Sequence, residues 1–266
     1  MSARRINRAA MPGASMRTRA VLRIVVCAIA LGALVPEAAS AQGSAPAASP
    51  RATAPVDLTG YWVSVIHEDW AWRMRTPPPG DYASVPLNDA GRRIADRWSV
   101  DQDGSCLAFG AAALLRMPTR VHITWADDDT LQIDADNGAQ TRLLHFDTGM
   151  ATPVTRTLQG HSVAQWVTAP NVLGSRDPDR GAAQWATLEV VTTQMLPAWL
   201  RPNGVPYSEN AVLTQYFDSF ADGDDAWFTV TTIVDDPTYL TEPFVVSSNF
   251  KREQDAGKWN PEPCRQ

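Results

Sequence analysis

The sequence lacks the motifs by which nucleotides and metals are commonly bound. It contains no GxGxxG, GxxxxGKS or GxxxxGKT, the glycine-rich loops that hold phosphate groups. HxH, HExxH and CxxC are also absent, although histidines on different strands can still converge on a metal. We therefore expect no nucleotide chemistry, no cofactor and no metal site.

Cysteine is scarce, with three in 266 residues. Cys27 lies in an N-terminal leader described below, so Cys106 and Cys264 are the two that remain. A single cysteine pair in an oxidising compartment predicts a disulfide, which here would tie the C-terminus to an early loop.

Positive charge is scarce outside the first 23 residues. The formal net charge is −6, and that short segment alone holds six arginines. Without it the chain is more acidic still and carries no basic stripe. Nucleic acids and anionic membranes bind basic patches, so we exclude both as partners and expect a small-molecule ligand or substrate.

No apolar run approaches the roughly 20 residues of a transmembrane helix. Residues 21–35 (VLRIVVCAIALGALV) are apolar apart from Arg23, and Pro36 and Ala39-Ser40-Ala41 follow them. A basic start, a short apolar core and small residues before the cleavage point predict a Sec-type signal peptide over residues 1–41, cleaved after Ala41. The protein is expected in the periplasm or outside the cell, without stable membrane insertion after cleavage.

The rest of the chain divides once. Residues 42–55 (QGSAPAASPRATAP) are mainly alanine, serine and proline, which predicts a disordered linker. Residues 56–266 are enough for one sizeable domain, and no repeat or internal boundary splits them.

The clearest secondary structure lies between residues 120 and 147. Residues 121–125 and 131–135 alternate apolar with polar side chains, the period of a half-buried strand. Asn137-Gly138 predicts a two-residue turn with positive φ at both positions, and a third strand returns through Leu144 and Phe146.

An apolar core fixes the register of this meander. If the odd-numbered apolar residues share a face, His122 lies opposite Asp134, and Arg142 lies beside Ile133 on the apolar face. His122 and Asp134 are then either a solvated cross-strand pair or an acid–base couple, depending on which face looks inward. Arg142 either reaches an edge or faces a polar cavity.

Strands are also predicted over residues 60–67, 185–193, 212–220, 226–235 and 244–251. One helix is predicted over residues 87–98, with Asn88 or Asp89 as its N-cap, and residues 168–184 and 196–208 are predicted as long loops. Many strands and about one short helix predict an all-β, mainly antiparallel barrel or sandwich.

Seven segments spread over most of the mature chain carry a resemblance to known proteins. They are residues 57–62 (DLTGYW), 86–98 (PLNDAGRRIADRW), 116–118 (RMP), 123–147, 160–166 (GHSVAQW), 204–209 (GVPYSE) and 230–244 (VTTIVDDPTYLTEPF). Together they resemble a group of uncharacterised exported bacterial proteins with a lipocalin-like β fold. The resemblance implies export and a lipocalin-like barrel, and it implies no activity and no functional residue.

One candidate site follows the first strand. His67 and Asp69 would share a side if that strand continued, which suits a general base oriented by a carboxylate, with Glu68 as a second acid. The neighbouring residues that would bind a ring-bearing ligand are Tyr61, Trp62, Trp70, Trp72 and Arg73. The alternative is a strand end whose aromatic residues fill the core and whose charges face solvent.

Three classes of function remain open. The first is a cofactor-free lyase, isomerase or hydrolase acting on a small apolar or aromatic molecule, with His67 as the base. The second is a non-catalytic carrier, and the third is a structural or envelope-assembly protein. His161 is a further candidate for ligand binding because it precedes a long loop, and the absence of GxSxG argues against a serine hydrolase.

Overall fold

The structure, a computed structural model, describes residues 48–101, 106–146, 155–169 and 185–264. The predicted signal peptide and the first part of the predicted linker lie outside these residues. Residues 49–53 of the linker form a turn, and the backbone N–H of Arg51 donates to the carbonyl of Asp128 at 3.1 Å. This part of the linker therefore contacts the folded domain.

Strands make up most of the regular structure. They are β1 (Gly60–Val65), β2 (Arg120–Trp125), β3 (Thr130–Ala135), β4 (Asn137–Gly138), β5 (Gln140–His145), β6 (His161–Ala169), β7 (Trp185–Thr193), β8 (Ala198–Arg201), β9 (Val205–Tyr207), β10 (Val212–Asp222), β11 (Asp225–Asp235), β12 (Phe244–Arg252) and β13 (Glu262–Pro263). The α-helices are α1 (Trp70–Arg73), α2 (Asp89–Ala95) and α3 (Ala111–Leu114), with 3-10 turns at Leu107–Phe109 and Ala256–Lys258. Within the described ranges no helix is long and apolar enough to cross a membrane.

Nine strands close into a barrel in the order β1-β12-β11-β10-β7-β6-β5-β3-β2, and β2 pairs back to β1. Neighbouring strands are antiparallel except β5 and β6, which pair in parallel at Leu144–Ser162 and His145–Val163. A ring with an odd number of strands cannot alternate direction all the way round, so one parallel pair is required. The all-β barrel predicted from the sequence is confirmed.

Alternate side chains fill the barrel. Successive residues of a strand point to opposite faces, and the odd-numbered apolar residues of β2 and β3 are the ones that point inward. The largest side chains of this core include Trp62, Ile123, Leu131, Phe217, Phe228 and Phe250, all at most 1 % exposed. Full burial of such a side chain contributes roughly 1.5–3 kcal/mol, so this core is a main source of stability.

A cap closes one end of the barrel, the end at which β2 begins and β11 ends. It consists of α1, α2, α3 and the β8–β9 hairpin, and α2 packs against β9. A second core of buried residues lies beneath it, formed where the cap meets the strand ends: Leu87, Ala111, Met195, Leu200, Tyr207, Leu213, Val234 and Phe244. We call this end of the barrel the capped end.

Most of the predicted elements are present. The register of the meander is confirmed, with His122 opposite Asp134 and Ile133 opposite Arg142. The predicted helix is α2, and the side chain of Asn88 caps it by accepting from the N–H of Gly91 at 2.9 Å. The predicted strands 60–67, 185–193, 212–220, 226–235 and 244–251 correspond to β1, β7, β10, β11 and β12.

Two predictions about loops and turns differ from the structure. The segment predicted as a loop at residues 196–208 contains the β8–β9 hairpin, because Leu200 and Val205 are buried in the second core. At the tip of β3 and β5, positive φ falls on Gly138 and Ala139 rather than on Asn137. A Cβ on Gly138 would meet the ring of Phe109 at 2.3 Å, so this position requires glycine for space as well as for φ.

The predicted disulfide is present. Cys106 and Cys264 are bonded, with their Cα atoms 5.5 Å apart and a separation of 158 positions in sequence. Beside it, β13 pairs with β4 in parallel, so the C-terminal segment lies against the tip of the meander. The bond is consistent with an oxidising compartment.

Candidate functional site

Among the described inward-facing residues of the barrel strands, Arg142 is the charged side chain that is fully buried. Its side chain is fully buried and donates to Gln215 at 2.8 Å, Ser162 at 3.3 Å and Thr192 at 3.2 Å. Burial lowers the pKa of Arg142 to about 10, and the nearby Tyr207 opposes that shift. The sequence allowed Arg142 to reach an edge or to face the interior, and the structure shows the interior position. There Arg142 lies in a polar layer that side chains fill.

His67, Glu68 and Asp69 do not form the predicted strand end. β1 stops at Val65, and Asp69 has φ of 51° at the start of α1, so the period of two that would align His67 with Asp69 is lost. The neighbour of His67 is instead Glu68, whose Oε2 lies 3.4 Å from Nδ1, and Asn249 lies 3.4 Å from Nε2. Asp69 therefore does not share a side with His67 as predicted, and Glu68 is the carboxylate beside the imidazole.

The carboxylates of Glu68 and Asp69 face arginines. Glu68 pairs with Arg73, whose Nε also donates to the backbone carbonyl of Arg116 at 2.8 Å. Asp69 accepts from Nη2 of Arg116 at 3.4 Å. The loop after β1 is thus tied to the segment before β2, and both arginines are buried.

A third buried arginine joins this group. Arg201, at the end of β8, is 1 % exposed and lies over the ring of Trp72 at 5.4 Å. Asp69 and Asp81 act on its charge through space, while burial is the larger influence and lowers its pKa. We refer to Arg73, Arg116 and Arg201 as the arginine cluster.

Several donors of the arginine cluster lack an acceptor among the described residues. They are Nη2 of Arg73, Nη1 of Arg116 and all three guanidinium nitrogens of Arg201. Burial lowers the pKa of Arg116 to about 10, Asp69 opposes this, and the charges of Arg201 and Arg73 lower it further. The cluster is therefore an electropositive region whose hydrogen-bonding capacity is only partly used.

Two cavities lie at the capped end; Arg73 of the arginine cluster lines the smaller one, which also includes Met117 and Pro202, the residues that follow Arg116 and Arg201. The larger, about 520 Å³, is lined by residues that include Ser64, Ile66, Arg120 and Asp136. The smaller, about 240 Å³, is lined by Arg73 and by apolar residues that include Phe109, Met117 and Pro202. Met74 and Pro118 line both cavities, so the two adjoin.

The aromatic residues predicted as one binding surface are separated. Trp62 points into the barrel core, and Tyr61, its neighbour on the strand, points outward and stacks on His122 with ring centroids 4.1 Å apart. Trp72 donates from Nε1 to Asp81 at 2.9 Å, and Trp70 is 63 % exposed. Of the four, Trp70 and Trp72 lie on α1 with Arg73, near the cavities.

His122 and Asp134 lie opposite each other on the outer face of the barrel. His122 stacks on Tyr61, while Asp134 accepts hydrogen bonds from Gln132 at 2.7 Å and Thr141 at 2.5 Å. The structure thus gives the solvated cross-strand alternative, and no interior acid–base couple forms here.

His145 and His161 meet at the parallel pair of strands. Their rings stack with centroids 5.3 Å apart, and Nδ1 of His145 lies 3.4 Å from the hydroxyl of Thr130. Burial lowers the pKa of His145, the neighbouring His161 lowers it further, and Asp127 opposes both. His161 is distant in sequence from α1, and its ring contacts another histidine. Within the described ranges no group of three His, Cys, Asp or Glu residues is placed to hold a metal.

Sequence reasoning missed Arg116 and Arg201. Arg116 stands in the RMP segment and Arg201 in the stretch predicted as a loop, and neither carries a local motif. Their only signal is an arginine next to apolar residues, as in LLRMP and WLRP, which indicates burial but no partner.

No protein-family model, curated protein or solved structure matches this chain. The resemblance described above therefore identifies no family.

Proposed function

We propose that the chain is an exported small-molecule-binding protein whose ligand occupies the adjoining cavities at the capped end. The observation that carries the proposal is the contrast between a filled barrel interior and two cavities that share Met74 and Pro118. The larger cavity has the size of a ligand site and a mixed lining, in which four apolar residues stand among seven polar or charged ones. The disulfide and the predicted signal peptide support a place outside the cytoplasm.

Binding without chemistry is favoured because the local carboxylates already have partners. Glu68 and Asp69 are held by Arg73 and Arg116, and the side chain of His67 is 65 % exposed. A general base needs to reach the proton that it removes, in a site that excludes water. This arrangement supports a carrier more than a catalyst.

The first test is native mass spectrometry of residues 42–266 purified from a periplasm, compared with the mass under denaturing conditions. A bound molecule lost on denaturation supports the carrier function. The site is then tested with Met74→Asp, since Met74 is 57 % exposed and can change without unfolding the protein. Val100→Asp is the matched control, because Val100 is also exposed and lines neither cavity. Equal retention of the ligand by both variants would place it elsewhere.

A second candidate function is cofactor-free acid–base catalysis, which one contact favours. Glu68 connects Arg73 to His67, so a charged side chain at the cavity wall is linked to an imidazole. In this case His67 is the base and Glu68 orients it. His67→Gln would then abolish turnover and leave ligand affinity unchanged, whereas a loss of affinity alone would refute the catalytic role.

A further inference from the structure

The arginine cluster brings together three segments that are distant in sequence. Arg73 belongs to α1, Arg116 follows α3 and Arg201 ends β8. These three arginines are 6 %, 5 % and 1 % exposed, respectively. Buried guanidinium groups normally find acceptors for their N–H groups, because an unpaired buried donor costs free energy. Arg201 has no such acceptor among the described residues. The cluster thus has donors to offer to a ligand.

The local charge is not balanced by direct contacts. Glu68 contacts Arg73 and Asp69 contacts Arg116, which leaves one positive charge of three uncompensated. Asp81 acts on Arg201 through space only, and its carboxylate accepts the hydrogen bond of Trp72. Within the cluster one monoanion would match the single uncompensated charge, whereas a phosphate dianion would exceed it; Arg75, which also lines the smaller cavity, is exposed, so solvent screens its charge.

The smaller cavity gives this charge an apolar neighbourhood. Arg73 lines it together with Phe109, Met117 and Pro202, and with the exposed Arg75 and Thr76 at its rim; Pro202 directly follows Arg201 in the chain. Its volume of about 240 Å³ is below the range of drug-sized ligand pockets, so it suits a small molecule with one apolar part. The planar fork of arginine matches the two oxygens of a carboxylate.

We propose that the ligand of the capped end is a small apolar monocarboxylate, whose carboxylate binds the arginine cluster and whose apolar part lies against Phe109 and Met117. This inference rests on the proposed binding function and names the chemistry of its ligand.

The experiment measures binding to residues 42–266, with the disulfide intact, by isothermal titration calorimetry. The ligands are benzoate, acetate, hexanoate and octanoate, the corresponding primary amides, and inorganic phosphate. We expect at least one monocarboxylate to bind with 1:1 stoichiometry and its amide to bind at least about tenfold more weakly, since the amide lacks the charge. Phosphate is expected to bind more weakly than that carboxylate.

Two variants test the cluster itself. Arg201→Gln should weaken the carboxylate at least about tenfold and leave the amide unchanged. Asp69→Asn should tighten it, because removal of one compensating charge raises the cluster to two uncompensated positive charges. Asn tolerates the left-handed backbone of position 69, so this variant remains informative if Arg201→Gln does not fold. Arg156→Gln is the control, since Arg156 is a partly exposed arginine paired with Glu209 outside the cluster.

The outcomes distinguish a wrong ligand class from a wrong binding function. Equal binding of carboxylate and amide, or unchanged carboxylate binding in both Arg201→Gln and Asp69→Asn, overturns the inference and leaves the binding function standing. Tighter binding of phosphate overturns the choice of a monocarboxylate. If no ligand of either charge binds and native mass spectrometry shows no added mass, the binding function fails as well.

Discussion

A methyl group added at Gly110 tests how the cap is packed on the barrel. Gly110 precedes α3 with φ of −69°, so any residue can adopt its backbone and the effect of Gly110→Ala on the folded state is one of space. The new Cβ would lie 2.2 Å from the hydroxyl oxygen of Tyr207 and 3.3 Å from its Cζ. Tyr207 is fully buried in the second core and cannot swing into solvent. Overpacking of this kind costs about 1–3 kcal/mol.

The hydroxyl of Tyr207 is the atom that must move, so its removal should rescue the packing. It has no hydrogen-bond partner among the described residues, and burial raises its pKa, so it remains a neutral, unpaired group. Tyr207→Phe alone should therefore stabilise the protein, by up to about 1–3 kcal/mol. In the double variant the methyl group finds space, and Gly110→Ala should then cost well under 1 kcal/mol, because Cζ at 3.3 Å needs only a small shift.

The four proteins of this double-mutant cycle are compared by urea unfolding of residues 42–266, followed by tryptophan fluorescence. We expect a coupling free energy of at least about 1 kcal/mol between the two positions. Additive effects, within about 0.5 kcal/mol, would refute the reasoning, since they would mean that Gly110 and the Tyr207 hydroxyl do not meet.

Three further predictions concern a histidine of the barrel, the disulfide and the turn between β8 and β9. Because the pKa of His145 is lowered in the folded state, the unfolded chain binds more protons as pH falls through about 6.5. The free energy of unfolding should therefore decrease as pH falls through that range, which urea titrations at several pH values measure. His145→Gln should make this pH dependence weaker. An unchanged pH dependence in the variant would contradict the burial of this histidine against His161. Cys264→Ser should destabilise the chain by up to about 5 kcal/mol, from the closure of a 158-residue separation, and reduction of the wild-type protein should match it in a thermal melt. Gly204→Ala should cost about 1–3 kcal/mol or more, because φ is +78° and the Cβ would lie 2.3 Å from Trp98; a melting temperature equal to wild type would show that this turn rearranges.

The local part of the fold follows from the sequence because its signals are local. Alternation over residues 121–135 and the Asn137-Gly138 turn give the register, with Arg142 beside Ile133, but they left open whether Arg142 is buried. Asn88 identifies the start of α2 for the same reason, since capping involves residues three positions apart.

Features that depend on distant segments did not follow. The closure of β1 onto both β2 and β12 and the parallel pairing of β5 with β6 are set by how nine strands share one ring. The prediction that His67 and Asp69 share a side assumed that β1 continues past Val65. In the structure β1 ends there, and two buried arginines pair with Glu68 and Asp69. Arg116 and Arg201 carry no motif, so only the folded chain reveals that they share a site.

The odd strand number also limits how this barrel could be redesigned. Insertion or deletion of a β-hairpin changes the count by two and leaves it odd, so every such relative would retain a parallel pair somewhere in the ring. In this barrel the parallel strands β5 and β6 pair at two positions, whereas β10 and β11 pair at eleven positions. A designer who wishes to cut the barrel into an open sheet, or to place new chain ends, should therefore choose the boundary between β5 and β6, where the fewest paired positions are lost.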